Sequence, residues 1–517
     1  MIARRSFLHS LVGATTGAVL LPRDLLAHAE AVALDPYGRF GVRRGEPVRV
    51  RGRVTSGGRG LSHALVSDGL DVVRTDRDGA YELSSDRMRS HVFVSIPAGH
   101  DVPLNAPGTA AFYHALAPDT RGEQRADFAL RRAEVPDDRH ATLFLADPQT
   151  EDAEEMGFLH AQTVPDVRAT VARLGVPTIG ISVGDIMFDN LELYPGYERA
   201  VAATSIPFFQ VIGNHDLDFD ATIDEASTAT FCSRFGPRYY SFDRGAVHYV
   251  VLDDVLWHGT GYIGHLGAEQ LAWLENDLAY IEAGRTVIVA THIPVEGTRY
   301  LREGSGNRPA LGSAVTNREA LYRLLEPYRA HIVTGHMHES EHLFANGVHE
   351  NVIGAVCGAW WSGPICGDGT PNGYSIYEVD GDSVRWTYKA TELPLDHQIR
   401  AYPAGADRRA PTEIVANVWD ADSEWRVVWY EDGVRRGSMA RRIGHDPLSM
   451  ELHTGPELPP TRTWVDPYMT GHLYYAPVAA TATEIVVEAT DRFGRTYTAR
   501  VPHESSPGGP RRNDPYR

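Results

Sequence analysis

Between about residues 140 and 340 the chain repeats one pattern, a short apolar, β-branched run that halts and gives way at once to Asp, Asn or His. Thr142-Leu-Phe-Leu-Ala runs into Asp147-Pro-Gln149, and Thr178-Ile-Gly-Ile-Ser-Val runs into Gly184-Asp185. Pro207-Phe-Phe-Gln-Val-Ile stops at Gly213-Asn-His-Asp216, Thr286-Val-Ile-Val-Ala at Thr291-His292, and His331-Ile-Val-Thr at Gly335-His-Met-His338. Runs of this length bounded by Gly or Pro read as buried strands of an α/β sheet. Helical periodicity over Ala268 to Ile281 and Asn317 to Tyr328 supplies layers to cover it. Ligands bind beyond the carboxyl ends of such strands, so the five polar ends are expected to converge on one place.

The pattern changes on either side. From 46 to 132 the sequence alternates and turns, as in Val48-Arg-Val-Arg-Gly-Arg-Val and His91-Val-Phe-Val-Ser-Ile, which predicts a small β-sandwich. Asp76-Arg-Asp-Gly79 reads as a hairpin turn, because the rest of a calcium-loop ligand set is missing. The α/β region spans 133 to 394, with an antiparallel hairpin at Arg238 to Leu252 and a Gly- and Arg-rich loop from Glu296 to Ala314. Strand-like runs resume from 411 to 503, and the tail from 504 to 517 has a disordered composition. The first 29 residues carry Arg4-Arg5-Ser-Phe-Leu, a modestly apolar stretch and Ala27-His-Ala29, which together resemble a twin-arginine export signal and predict an exported protein.

Composition narrows the functional classes. A chain of 517 residues needs more than one hydrophobic core. A formal charge of -19 repels nucleic acid and anionic membranes, so an anionic substrate has to be captured locally by metal or a few Arg. No segment beyond the signal is long and apolar enough to span a bilayer. Three Cys make no disulfide scaffold, and whether Cys357 and Cys366 pair stays open. Lys389 is the only lysine.

Hard oxygen ligands mixed with imidazoles, with no Cys in any motif, suit Mn, Fe, Zn or a similar divalent ion. Seven candidates, Asp147, Gln149, Asp185, Asn214, His292, His336 and His338, are too many for one tetrahedral ion, whereas two ions sharing a carboxylate would use them all. Such a pair clamps both attacking and leaving oxygens in displacement at phosphorus, which points to phosphate-ester hydrolysis.

In this order the five motifs resemble the calcineurin-like metallophosphoesterases, whose pattern is D-x-H, G-D, G-N-H-(D/E), a lone His, then G-H-x-H. The flanking β segments resemble the amino- and carboxy-terminal domains of one branch, the first of them transthyretin-like. The resemblance implies a β-sandwich flanked by helices. It also implies that Asp185 bridges two divalent ions, that Asp147, Gln149 and His338 complete one site, and that Asn214, His292 and His336 complete the other. His215 would protonate the leaving oxygen, oriented by Asp216, with Asn214 and His215 also contacting substrate. Gln149 departs from the family's His. As a neutral, harder ligand it should weaken the first site and favour Mn or Mg over Zn, Mn being the first choice. Phe188 stands where purple acid phosphatases carry the Tyr of Gly-Asp-x-x-Tyr, which argues against an iron-tyrosinate site.

Two other functions are compatible with the pattern. One is a catalytically weak protein binding a cell-wall or polysaccharide partner, and the other a pyrophosphate or nucleotide hydrolase using the same centre. Trp360-Trp361 reads as interface packing or a substrate wall, and Arg299, Arg302 and Arg308 as phosphate ligands or solvated side chains. His248, His265, His342 and His349 read as solvated or core histidines, and Asp253-Asp254 as a strand-end turn.

Overall fold

The computed structural model describes Val42 and residues 44–105, 108–117 and 123–502; the signal-like segment and the 504–517 tail lie outside the described residues. The five apolar runs form strands, but in two sheets rather than one. Arg139–Leu145, Thr178–Val183 and Phe208–Val211 lie parallel in a five-stranded sheet that the antiparallel strands Gly373–Asp380 and Ser383–Ala390 complete. Thr286–Ala290 and Arg329–Thr334 are parallel neighbours inside a six-stranded sheet. Its outer strands include the hairpin Tyr240–Arg244 and Val247–Val251.

The two-residue repeat of side-chain direction explains how one strand serves two cores. Phe144, Ile179, Ile181, Phe209 and Val211 face the second sheet, packing in one cluster with Tyr249, Ile288 and Val333. Leu143, Leu145 and Phe208 face the other way, onto Val167 of helix Val164–Leu174 and onto Tyr197 and Val201 of helix Tyr194–Thr204. Helices Ala268–Leu278 and Arg318–Leu325 cover the second sheet through Leu271, Trp273, Leu274 and Leu321. The result is four layers, helix, sheet, sheet, helix, with the metal-type motifs at one end of both sheets.

Small β structures lie before and after these layers. The first has a five-stranded and a four-stranded sheet, and Asp76 Oδ1 closes its predicted hairpin turn by accepting from Asp78 N and Ala80 N. The last has two four-stranded sheets, with helix Pro447–Thr454 following strand Ala440–His445 in the chain. Among the described residues no helix is long and apolar enough to cross a membrane.

Candidate metal centre

Each motif turns sharply where its strand ends. Asp147, Gln149, Asp185, His336 and His338 all have positive φ, between 42° and 68°, in a region that costs a non-glycine residue on the order of 1–3 kcal/mol. That strain turns the side chains back toward a common point. The motif glycines let the turns stack: a Cβ on Gly184 would lie 2.3 Å from His292 Nδ1, and one on Gly213 2.0 Å from Asp185 N.

The geometry brings the predicted residues together. Asp185, His292 and His336 offer ligand atoms that all lie within 4.8 Å of one another. His292 Nε2 is 3.2 Å from both Asp185 Oδ1 and Asn214 Oδ1, and His338 Nε2 is 3.6 Å from Asp147 Oδ1. The Asp147 carboxylate also accepts from His336 N at 3.0 and 3.1 Å. Gln149 reaches the cluster through its amide nitrogen, 3.0 Å from Asp185 Oδ2, while its oxygen faces Cys357 Sγ at 3.8 Å. A half-turn of that amide would present the oxygen instead.

The imidazoles are held in a way that suits metal. A carbonyl oxygen only accepts, so a ring nitrogen beside one must be the N–H. His292 Nδ1 donates to Val183 O at 3.0 Å, His336 Nε2 to Gly312 O at 2.9 Å and His338 Nδ1 to Gly358 O at 2.6 Å. In His336 and His338 the other nitrogen is left as a lone pair, as in histidine metal ligands tied down from behind, and in His292 it faces Asp185 Oδ1 and Asn214 Oδ1. His336 Nδ1 is buried with no hydrogen-bond partner. Burial pushes His336 down to about 3 and His338 to about 4, which keeps both in the ligating neutral form. Burial also lowers His292, but the charges of Asp185 and Asp147 outweigh it and raise the ring to about 10. Burial lifts Asp147 to about 8, whereas Asp185 stays below its ordinary value because His292 and His215 outweigh the same burial. One carboxylate pinned against convergent imidazoles and a second beside it form a donor set that fits divalent ions.

His215 sits at the edge of this cluster, and its partner differs from the expectation. Asp216 does not orient it. The short turn Asn214–Asp216 folds the Asp216 carboxylate beneath the loop, where it accepts from Gly213 N at 2.9 Å, Ile186 N and Met187 N at 3.0 Å and Tyr194 OH at 3.1 Å. Asp189, at φ 63°, approaches from the Gly184-Asp185 loop and takes His215 Nδ1 at 2.6 Å. Burial disfavours the His215 cation, but Asp185 and the Asp189 hydrogen bond raise the ring to about 9. Phe188 stacks on it, centroids 4.6 Å apart and planes at 24°. The sequence hints at Asp189 only through Asp189-Asn190, a turn-forming pair four residues after Asp185.

The structure also places the side chains that the sequence left open. Asp254 is more than a turn residue: its Oδ1 accepts from His292 N at 3.2 Å and Ile293 N at 3.1 Å, fixing the His292 backbone. Arg299 and Arg302 are neither solvated nor free for phosphate, since both pair with Glu339, and Arg302 also with Glu341. Arg308 is exposed. Trp360 stacks on His338 at 4.1 Å, and Trp361 donates to Pro148 O at 2.9 Å. Cys357 and Cys366 are buried free thiols.

Three family models match the chain: "N terminal of Calcineurin-like phosphoesterase" over residues 48–133, "Calcineurin-like phosphoesterase" over 143–340 and "C terminal of Calcineurin-like phosphoesterase" over 350–497. No curated protein matches it. Among solved structures, a purple acid phosphatase from yellow lupin (Lupinus luteus) seeds is similar at 14% identity, covering 67% of each chain with a TM-score of 0.37. A dimetal phosphatase from Danio rerio is similar at 14% identity over 49% of this chain and 97% of its own, with a TM-score of 0.33. A 5′-nucleotidase from Candida albicans shows 12% identity over 48% of this chain and 50% of its own, with a TM-score of 0.30.

Proposed function

The chain belongs to the calcineurin-like phosphoesterases with amino- and carboxy-terminal flanking domains and is a phosphate-ester hydrolase using divalent metal ions, and from that premise we propose that it is an exported enzyme cleaving a phosphomonoester or phosphodiester at a dinuclear centre. The observation that carries the reading is the set of three imidazoles, each tied from behind to a backbone carbonyl, gathered with the carboxylates of Asp147 and Asp185 at the strand ends. Arg4-Arg5 and the small-residue Ala27-His-Ala29 support export.

In this reading Asp147, Gln149 and His338 would hold one ion, Asn214, His292 and His336 the other, and Asp185 would be available to either. Bound there, the ions supply Lewis acidity, making a water nucleophilic near neutral pH and offsetting charge on the phosphoryl oxygens. The chain's own residues do the rest. Asp189 holds His215 through Nδ1, so Nε2 carries the proton free to leave. As the bond between phosphorus and the leaving oxygen breaks, that proton passes from Nε2 to the oxygen, which departs as an alcohol. Asp216 keeps the loop under His215 folded.

The test is hydrolysis of paired p-nitrophenyl phosphomonoester and phosphodiester substrates by the mature protein loaded with Mn, Mg or Zn, with Asp185→Asn as control. Metal-dependent turnover that the variant lacks is the expected result, with Mn the most effective ion. Turnover undiminished in Asp185→Asn would overturn the reading. The preferred ester tells whether the pocket accepts one or two substituents on phosphorus.

A further inference from the structure

The segment 455–468 leaves the carboxy-terminal β structure and returns across the catalytic layers, touching the centre's surroundings at two points. Arg462 reaches the first. Its guanidinium lies 4.8 Å from the centroid of Phe188, the ring whose plane stacks on His215. Trp464 reaches the second, 4.5 Å from Trp360, which stacks on His338. Arg462 holds its place against backbone cost, at φ 56°, and its side chain is only 12% exposed. Nη2 donates to Glu151 Oε2 at 2.7 Å and Glu155 Oε1 at 2.8 Å, two carboxylates just beyond the first metal-type motif.

A single hydrogen bond does not fix an imidazole. Asp189 sets the position of His215 Nδ1, yet the ring can still pivot about that bond and swing Nε2 away from the leaving oxygen. The stacked Phe188 supplies the missing constraint on the plane. Phe188 is itself 3% exposed, with the Arg462 guanidinium packed against its ring. We infer that Arg462, contributed by the carboxy-terminal domain, is a positioning residue for the reaction: through Phe188 it holds the plane of His215 and so the direction in which Nε2 delivers its proton. The same guanidinium offsets part of the negative charge of Glu151 and Glu155. This rests on the proposed role of His215 as the proton donor.

The bland competitor is that segment 455–468 only cements two domains. The two differ in how rate depends on the leaving group. Loosened packing lowers the fraction of competent enzyme and slows every ester equally. A misdirected proton donor slows esters whose leaving oxygen needs the proton and spares p-nitrophenyl esters, whose leaving group departs as a stable anion.

The experiment therefore uses the full metal-loaded chain with an alkyl ester and a p-nitrophenyl ester of whichever class the unmodified protein hydrolyses. Variants are Arg462→Met, Arg462→Lys and the charge-balanced Arg462→Met/Glu155→Gln, which supplies the measurement if the single variant fails to fold. Metal content and melting temperature are followed alongside. Arg462→Met is expected to lower kcat on the alkyl ester by about 10-fold or more and on the p-nitrophenyl ester by less than about 3-fold, with metal content unchanged and most of the loss restored by Arg462→Lys. Equal losses on both esters, or no loss on either, would overturn the inference while leaving the proposed function standing. An unmodified protein that turns over neither ester with any metal would remove the proposed function, and the inference with it.

Discussion

The imidazole of His215 is held through one strong hydrogen bond, and it is Asp189 that makes it. Asp189→Asn keeps the shape but replaces an anionic acceptor by an amide. We expect kcat on an alkyl ester to fall by about 10- to 100-fold with bound metal unchanged, measured as steady-state kinetics beside metal analysis. Asp216→Ala should behave differently. It strands three buried backbone N–H groups and the Tyr194 hydroxyl, so its primary effect is a loss of about 3 kcal/mol or more in urea unfolding. The two aspartates thus separate by readout, one in rate and the other in stability.

Elements are joined by charged groups removed from water. Lys389 on strand Ser383–Ala390 places Nζ 2.6 and 2.8 Å from the Asp166 carboxylate of helix Val164–Leu174, and Asp166 also accepts from Tyr374 OH at 2.7 Å and Glu392 N at 2.8 Å. Lys389→Met leaves that carboxylate buried without its cation, and a loss of about 3 kcal/mol is expected in denaturant unfolding. On the opposite sheet His248 is fully enclosed, with Nδ1 3.0 Å from Asp243 of the paired strand and Nε2 2.8 Å from Asp277 of helix Ala268–Leu278. Arg285 also approaches Asp243, at 2.8 Å. Burial disfavours the His248 cation, but Asp277 and Asp243 outweigh it and raise the ring from 6.5 to about 9. A raised folded-state value stabilises the fold fully below about pH 6.5, and the contribution is lost as pH rises through about 9. Unfolding free energy should therefore fall by up to about 3 kcal/mol across that window, and His248→Gln should flatten the profile.

At the scale of the molecule, a buried polar chain crosses from the catalytic layers to the carboxy-terminal domain. The Asp420 carboxylate accepts from His342 Nε2 at 2.9 Å, His342 Nδ1 meets His349 Nε2 at 3.0 Å, and His349 Nδ1 meets His331 Nδ1 at 3.0 Å. Because Asp420 only accepts, one direction of donation, from His331 through His349 and His342 to Asp420, satisfies every nitrogen in the interior of the chain. Burial supports this by holding His331 and His349 below their ordinary values. A second crossing runs through His472, 3.0 Å from Asp368 Oδ2 and 2.7 Å from Asn417 Oδ1. Domains sharing such buried networks should unfold together. Calorimetry is expected to show one transition for the catalytic and carboxy-terminal parts, and Asp420→Ala should lower or split it by stranding His342 Nε2–H and the Tyr388 N–H at a cost of about 3 kcal/mol.

Local sequence carried the strands and the convergence of their ends. An apolar run halted by Gly-Asp or Gly-Asn-His is a property of consecutive residues, so Thr178–Val183 and Thr286–Ala290 could be bounded from the sequence to the residue. Which sheet each run joins was not legible, because strands bordering the same centre differ only in long-range pairing. Nor was the choice between Asp189 and Asp216. Asp216 is adjacent to His215 in the chain, but the turn it closes points its carboxylate away, while a positive φ at Asp189 brings the distant one in. The arrival of Arg462 at Phe188, 274 positions away in the numbering, depends on how two domains dock. The sequence by itself determined which residue types stand at strand ends and therefore the class of chemistry. Only the tertiary structure decided which side chains hold them in place, because backbone direction and domain packing are set by contacts that no local pattern records.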